Sequence, residues 1–275
     1  MTRHSLSVRF PVLVGALVLI ALTAVPSFAQ TEDDDAKLRP AEPDYFIVNL
    51  PTTLPLPVHR GSFFLTHRFG ENLAKDDFGT AASNLFGLDQ GATINFGYRF
   101  GVMKHVEAMA SRTNFNKTIQ LAGKIDAMHQ SDTHFIGVSG LVSIEGSDNF
   151  QENYKPALGV SISRSFMDRA AVYAVPVWVH NSAALTGETR ETFFIGIGGR
   201  IAFLPTAYII AEVTPRVAGY GPGDAEYAFG VEKRVGGHVF SLVFANTFGT
   251  TYGQLASGGF PDSLYMGFNL SRKFF

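Results

Sequence analysis

Gly91-Ala92-Thr93-Ile94-Asn95-Phe96-Gly97-Tyr98-Arg99-Phe100 is the stretch that decides the fold. Ala92, Ile94, Phe96, Tyr98 and Phe100 alternate with Thr93, Asn95, Gly97 and Arg99, and a period of two places the two sets on opposite faces of a β-strand. The stretch is about as long as a tilted strand that crosses the hydrocarbon layer of a membrane. Neighbouring stretches repeat the pattern. Ile119, Leu121 and Ile125 alternate with Thr118, Gln120, Lys124 and Asp126; Leu158, Val160 and Ile162 with Gly159, Ser161 and Ser163. Tyr227, Phe229 and Val231 oppose Glu226, Gly230 and Glu232, and Leu264, Met266, Phe268 and Leu270 oppose Gly267, Asn269 and Ser271.

Carried along the chain, the alternation predicts strands at 61–69, 91–100, 105–113, 117–127, 134–145, 156–166, 170–181, 191–203, 206–214, 224–234, 237–247 and 263–275. These are about twelve, an even number as single-chain bacterial barrels prefer. Gly101 to Lys104, Met167 to Arg169, Leu204-Pro205 and Val235-Gly236 are short connections. Those at 70–90, 146–155, 182–190, 215–223 and 248–262 are longer and polar or Gly-rich; Asn114 to Asn116 is short where a long loop is due. Short turns at one end and long loops at the other are the asymmetry of outer-membrane barrels. The expected fold is therefore all-β, a transmembrane antiparallel up-and-down β-barrel over 61–275. A secreted β-sandwich would alternate as well, but aromatic residues crowd the apolar faces while small or polar residues take the opposite ones. Arg99, Lys124, Asp126, Arg200, Glu212, Glu226 and Glu232 all fall on the polar parity and are the expected lumen-lining residues. Glycines at 97, 159, 196, 198, 230 and 267 share that parity and make room inside a narrow barrel.

Composition agrees with a chain whose outer surface meets lipid. Of 275 residues 17% are charged and 46% hydrophobic, with 25 Phe, 9 Tyr, 1 Trp and 28 Gly. Soluble domains carry roughly a quarter charged residues. With no cysteine, a disulfide framework and a thiolate metal site are both excluded, and a formal charge of −2 lacks the basic excess of a nucleic-acid binder. Residues 1–29 read as a cleaved signal peptide: Arg3, His4 and Arg9 precede an apolar run from Phe10 to Val25, and small residues at 27 and 29 place cleavage after Ala29. The protein is thus expected in the bacterial outer membrane, in contact with its lipid and inserted by the barrel-assembly machinery, which the aromatic final strand Ser271-Arg272-Lys273-Phe274-Phe275 would address. Residues 30–60 stand outside the alternation. Their acidic run Glu32 to Asp35 and prolines at 40, 43, 51, 55 and 57 predict an extended, solvated periplasmic leader, with a partial plug or a docking strand for a periplasmic protein as the alternatives.

Phe63-Phe64-Leu65-Thr66-His67-Arg68-Phe69-Gly70, Asn84-Leu85-Phe86-Gly87-Leu88-Asp89-Gln90-Gly91-Ala92 and Arg112-Thr113-Asn114-Phe115-Asn116-Lys117-Thr118, with the Pro-rich approach and the Ser-Arg-Lys-Phe ending, resemble a family of bacterial outer-membrane β-barrels classed as a domain of unknown function. The resemblance spans nearly all of the chain after residue 29. It implies a fold and a location and carries no active residues.

No catalytic constellation emerges. His180-Asn181-Ser182 has the His-x-Ser spacing of an outer-membrane phospholipase, but Phe194 stands where the orienting Asn belongs, so the lipid-hydrolase reading fails and no enzymatic activity is expected. His129 and His134 bracket Asp132 at a spacing that fixes no tetrahedral site, and no metal or other cofactor is expected. In the loop 70–90, Leu85, Phe86 and Leu88 precede Asp89, an apolar group that an outward loop does not need. It is the expected constriction segment, packed on the barrel mouth or folded into it. Two functions remain: a porin-like channel for small solutes or ions, and a closed barrel that docks a partner through its loops or its leader.

Overall fold

The computed structural model describes residues 41–75, 78–88, 91–183 and 187–274. The signal-peptide reading, the acidic run at 32–35, Asp89 and Phe275 lie outside them. Strands β1 (Gly61–Phe69), β2 (Ala92–Met103), β3 (Val106–Thr113), β4 (Ile119–Met128), β5 (Gly137–Gly146), β6 (Glu152–Phe166), β7 (Ala170–Val179), β8 (Thr192–Leu204), β9 (Ala207–Thr214), β10 (Arg216–Gly219), β11 (Glu226–Val235), β12 (His238–Ala245) and β13 (Tyr265–Phe274) form one antiparallel sheet. Apart from β10, which pairs with β8 alone, and β9, which pairs with β8 and β11, each pairs with its neighbours in sequence, and β13 pairs back onto β1, with Leu65 opposite Leu270, so the sheet closes on itself. Closure removes the free edges that a membrane would leave unpaired.

β9 and β10 are two halves of one stave. Both lie against β8, and Pro215 parts them because it has no N–H to donate; its carbonyl still accepts from Ile195 N at 3.0 Å. The barrel therefore has twelve staves, and each expected segment overlaps an observed strand. Turns follow local chemistry. Between β11 and β12, Gly236 takes φ 55°, a left-handed conformation that glycine adopts without strain. The β6–β7 turn places Met167 and Asp168 at φ 47° and 53°.

The faces divide as the alternation requires. In β2, Asn95, Gly97 and Arg99 are buried while Phe96, Tyr98 and Phe100 are exposed. Leu121, Ile125, Leu158, Ile197, Ile209, Phe229 and Phe240 continue an outward apolar band, stable where the surrounding solvent is hydrocarbon. Among the described residues no helix is long and apolar enough to cross a membrane; the strands do the crossing.

Candidate functional site: a lumen filled from both ends

The barrel interior holds two segments that are not staves. The first is residues 41–56, buried almost throughout. Over this range the expectation of a solvated leader is corrected: Ile47, Val48 and Leu50 are 0–1% exposed. Phe46 and Pro51 form an antiparallel bridge, Ile47 N donates to Leu50 O at 2.9 Å, and Thr52 N donates to Tyr45 O at 2.9 Å. The segment is a hairpin whose apex is Val48-Asn49. Both of its arms leave at the end with the short turns, where Lys273 Nζ donates to Pro43 O and His59 N to Gly101 O.

The hairpin adds no strand to the barrel, so wall side chains satisfy its backbone. At the apex, Glu212 accepts from three consecutive amides: Val48 N at 3.0 Å, Asn49 N at 2.8 Å and Leu50 N at 3.1 Å. Asn49 Nδ2 donates to Glu226 Oε1 at 3.2 Å, and Arg68 Nη2 donates to Asn49 Oδ1 at 3.3 Å. On one arm, Arg200 reaches Asp44 O and Phe46 O, and Ser271 Oγ donates to Asp44 Oδ2. On the other, Ser161 Oγ donates to Pro51 O, Thr53 and Ser163 share a bond of 2.5 Å, and Lys124 Nζ donates to Thr52 O and Leu54 O. Gly196 and Gly198 make the apex possible. A Cβ at Gly196 would stand 2.6 Å from Leu50 Cδ2, and one at Gly198 would stand 2.7 Å from Ile47 Cδ1.

The second segment is the short helix Tyr252–Ala256, turned into the barrel from the long β12–β13 loop and wholly buried. Thr251 caps it by accepting from Gln254 N, Glu145 Oε2 accepts from Gly253 N at 3.0 Å, and Gln254 Nε2 donates to Thr118 Oγ1 at 3.2 Å. Its Tyr252, Leu255 and Ala256 join Ile47, Val48 and Leu50 of the hairpin and Val175, Val177 and Phe194 of the wall in one apolar cluster. The lumen is thus filled by an apolar core with a charged rind. Burial pushes the Tyr252 phenol up to about 12, offset in part by Arg99. It pushes the Tyr45 phenol higher still, aided by Glu107 and Asp44. Both phenols stay neutral, and Arg99 lies over the Phe46 ring at 4.3 Å and Lys273 over the Tyr45 ring at 4.9 Å.

All seven residues read as lumen-lining are buried inside the barrel, in two groups. Arg99 pairs with Glu107, and Lys124 lies 3.6 Å from Glu107 and 3.9 Å from Asp126, all beneath Tyr45. Across the lumen Arg200 pairs with Glu232 at 3.3 Å, and Glu212 and Glu226 hold the apex. The inward version of the expected constriction does not form: Leu85 and Leu88 are 54% and 58% exposed. Gly87 alone is buried in that turn, against Phe69 and Glu71, and Asn84 Nδ2 donates to Glu71 Oε1 at 2.9 Å. The turn grips the rim, because the hairpin and the helix at 252–256 already occupy the interior. Asp89 of that group lies outside the described residues.

The His-x-Ser pair is not joined either. His180 faces Glu191 at 3.4 Å and the Ser182 hydroxyl bonds to Thr192, so no base meets the hydroxyl. In that loop, the hydrogen bond from Trp178, and next the one from His180, hold the Glu191 carboxyl below its usual range. His134 bonds to Ser131 and Thr133, away from His129. His129 faces His105 and Asp126 instead. Above the buried helix, at the long-loop end, opens a cavity of about 320 Å³. Phe115, Phe260 and Pro261 line its walls, and Glu145, Lys155 and Gln254 reach it from below.

Comparison with solved structures places the fold among porins. The chain matches a KdgM porin with TM-score 0.52 at 8% identity, covering 78% of this chain and 99% of the porin. A KdgM porin in complex with disordered oligogalacturonate gives 0.54 at 8%, with the same coverage, and a NanC porin 0.50 at 9%, covering 78% and 100%. No curated protein sequence matches. The family model described as a membrane-bound β-barrel domain matches residues 44–274, taking in all the staves and nearly the whole hairpin. The chain belongs to this membrane-bound β-barrel domain family, DUF5777.

Proposed function

We propose that the protein is an outer-membrane, porin-type channel for small polar solutes whose pore is closed at rest by its own N-terminal hairpin. The carrying observation is the inner wall. Arg68, Arg99, Lys124, Lys155, Arg200, Arg234 and Lys273 are buried there with Glu107, Asp126, Glu145, Glu212, Glu226 and Glu232. Replacing buried ion pairs with packed apolar side chains is often neutral or stabilising by roughly 1–4 kcal/mol. A permanently solid barrel has use only for the charges that bind the hairpin or the helix, as Glu212, Lys124, Arg200 and Glu145 do, whereas a wall that meets water when the plug leaves has use for them all. The attachment agrees with this. The hairpin hangs on side-chain bonds that water can replace one by one, and it shares no ladder with the staves. The cavity at the long-loop end then serves as the outer vestibule, and both ends of the plug open to the periplasm.

A disulfide tests the reading. The chain has no cysteine of its own, and the hydroxyls of Thr53 and Ser163 are 2.5 Å apart, so the two side chains already meet where an introduced disulfide would have to form. In Thr53→Cys/Ser163→Cys the oxidised protein is expected to be silent in a planar bilayer, and reduction is expected to restore openings. Equal activity in the oxidised and reduced states would refute the moving plug.

A further inference from the structure

We propose that His105, Asp126 and His129 form a binding site for a divalent transition-metal ion, with Zn²⁺ the fitting class, at the short-turn end of the barrel. The three residues come from different places. His105 sits in the tight turn between β2 and β3, Asp126 near the end of β4, and His129 just beyond that strand. The backbone bond from Asp126 N to His105 O, 2.8 Å, fixes the turn against the strand end. One donor atom from each side chain lies within 4.8 Å of the others, and the two imidazole rings are 5.6 Å apart at 32°.

Two imidazoles and a carboxylate make a donor set that suits Zn²⁺, Co²⁺ or Ni²⁺, and three protein ligands leave a position for water. Donors around a tetrahedral Zn²⁺ at about 2.0–2.1 Å stand roughly 3.3 Å apart. Binding would require rotation of the exposed His105 ring and the half-buried His129 ring to close the present spacing to that value. The carboxylate is already oriented, since Ser139 Oγ donates to Asp126 Oδ1 at 2.9 Å. The connection carrying His129 is clamped to β6 by two Gln130 bonds to the Ser165 backbone, of 2.9 and 2.7 Å. His134 belongs elsewhere, on the Ser131 and Thr133 hydroxyls. Lys124 stands 3.9 Å from the Asp126 carboxylate and its ammonium holds the hairpin carbonyls. The metal would therefore sit at the foot of a residue that fastens the plug.

The test uses the full chain without its signal peptide, refolded in detergent and freed of metal by a chelator. Titration with Co²⁺ is expected to give one ion per chain with visible d–d absorption, displaced by Zn²⁺. His105→Asn and His129→Gln should each weaken binding roughly tenfold or more, since losing even a group that supports a ligand costs about 10–100-fold, while His134→Gln leaves it unchanged. Asparagine suits position 105, where φ is 67°. A second readout needs no variant: Zn²⁺ should protect His105 and His129, but not His59 or His134, from diethyl pyrocarbonate. Failure to bind Co²⁺ at micromolar concentration, equal protection of all four histidines, or wild-type affinity in both His105→Asn and His129→Gln would overturn the assignment.

Discussion

Replacing Glu212 with Gln removes one charge at the point where the plug is held most tightly. The carboxylate accepts three adjacent backbone amides at 2.8–3.1 Å. Hydrogen bonds to a charged group contribute about 1.5–3 kcal/mol each in net stability. A glutamine oxygen keeps one or two of them, and its amide group turns a donor toward donors. A loss of about 3 kcal/mol from the plugged state follows, which raises the unplugged population about a hundredfold at roughly 1.4 kcal/mol per factor of ten. In planar bilayers, Glu212→Gln should show openings about a hundredfold more frequent than wild type, with a barrel folded as judged by heat-modifiable gel mobility. Hydrogen exchange at Val48, Asn49 and Leu50 should accelerate in parallel. A folded Glu212→Gln barrel with wild-type opening frequency and wild-type exchange at those three amides would refute the idea that this cradle holds the pore shut.

Gly198→Val puts branched carbon where Ile47 now packs, and Gly196→Leu does the same to Leu50; either is expected to raise channel activity while leaving the β-content by circular dichroism unchanged. Lys124→Met loses the bonds to Thr52 O and Leu54 O, so exchange should rise at Leu54 more than at Asn49. Trimming the helix Tyr252–Ala256 to a short glycine linker should widen the pore only when the hairpin is also gone, giving a conductance step larger than that of the hairpin deletion alone.

The staves were legible because a bilayer-facing strand shows its two environments as a period of two, and Phe96, Tyr98 and Phe100 against Asn95, Gly97 and Arg99 display both. Parity also set which charges face inward. The filling of the lumen was not legible by that rule. Prolines 43, 51, 55 and 57 read as an extended leader, although Tyr45-Phe46-Ile47-Val48-Asn49-Leu50 is too apolar for a solvated one. β7 carried a second signal: Ala171, Tyr173, Val175, Val177 and Val179 face inward and Val172, Pro176 and Trp178 outward, so it is apolar on both faces. An apolar lumen face implies an apolar occupant. The inward reading of 85–88 fails for the same reason. Apolar loop residues pointed to a segment meeting the barrel, but the loop that enters is the one whose Tyr252, Leu255 and Ala256 find the cluster built by the hairpin.

Conductance of the refolded barrel with and without residues 41–57 tests the central claim most directly. The account predicts near silence from the intact chain and steady, ohmic current once the hairpin is deleted, with an ion selectivity that shifts when Arg99 or Arg200 is neutralised. A folded, hairpin-deleted barrel that passes no more current than the intact chain would contradict it.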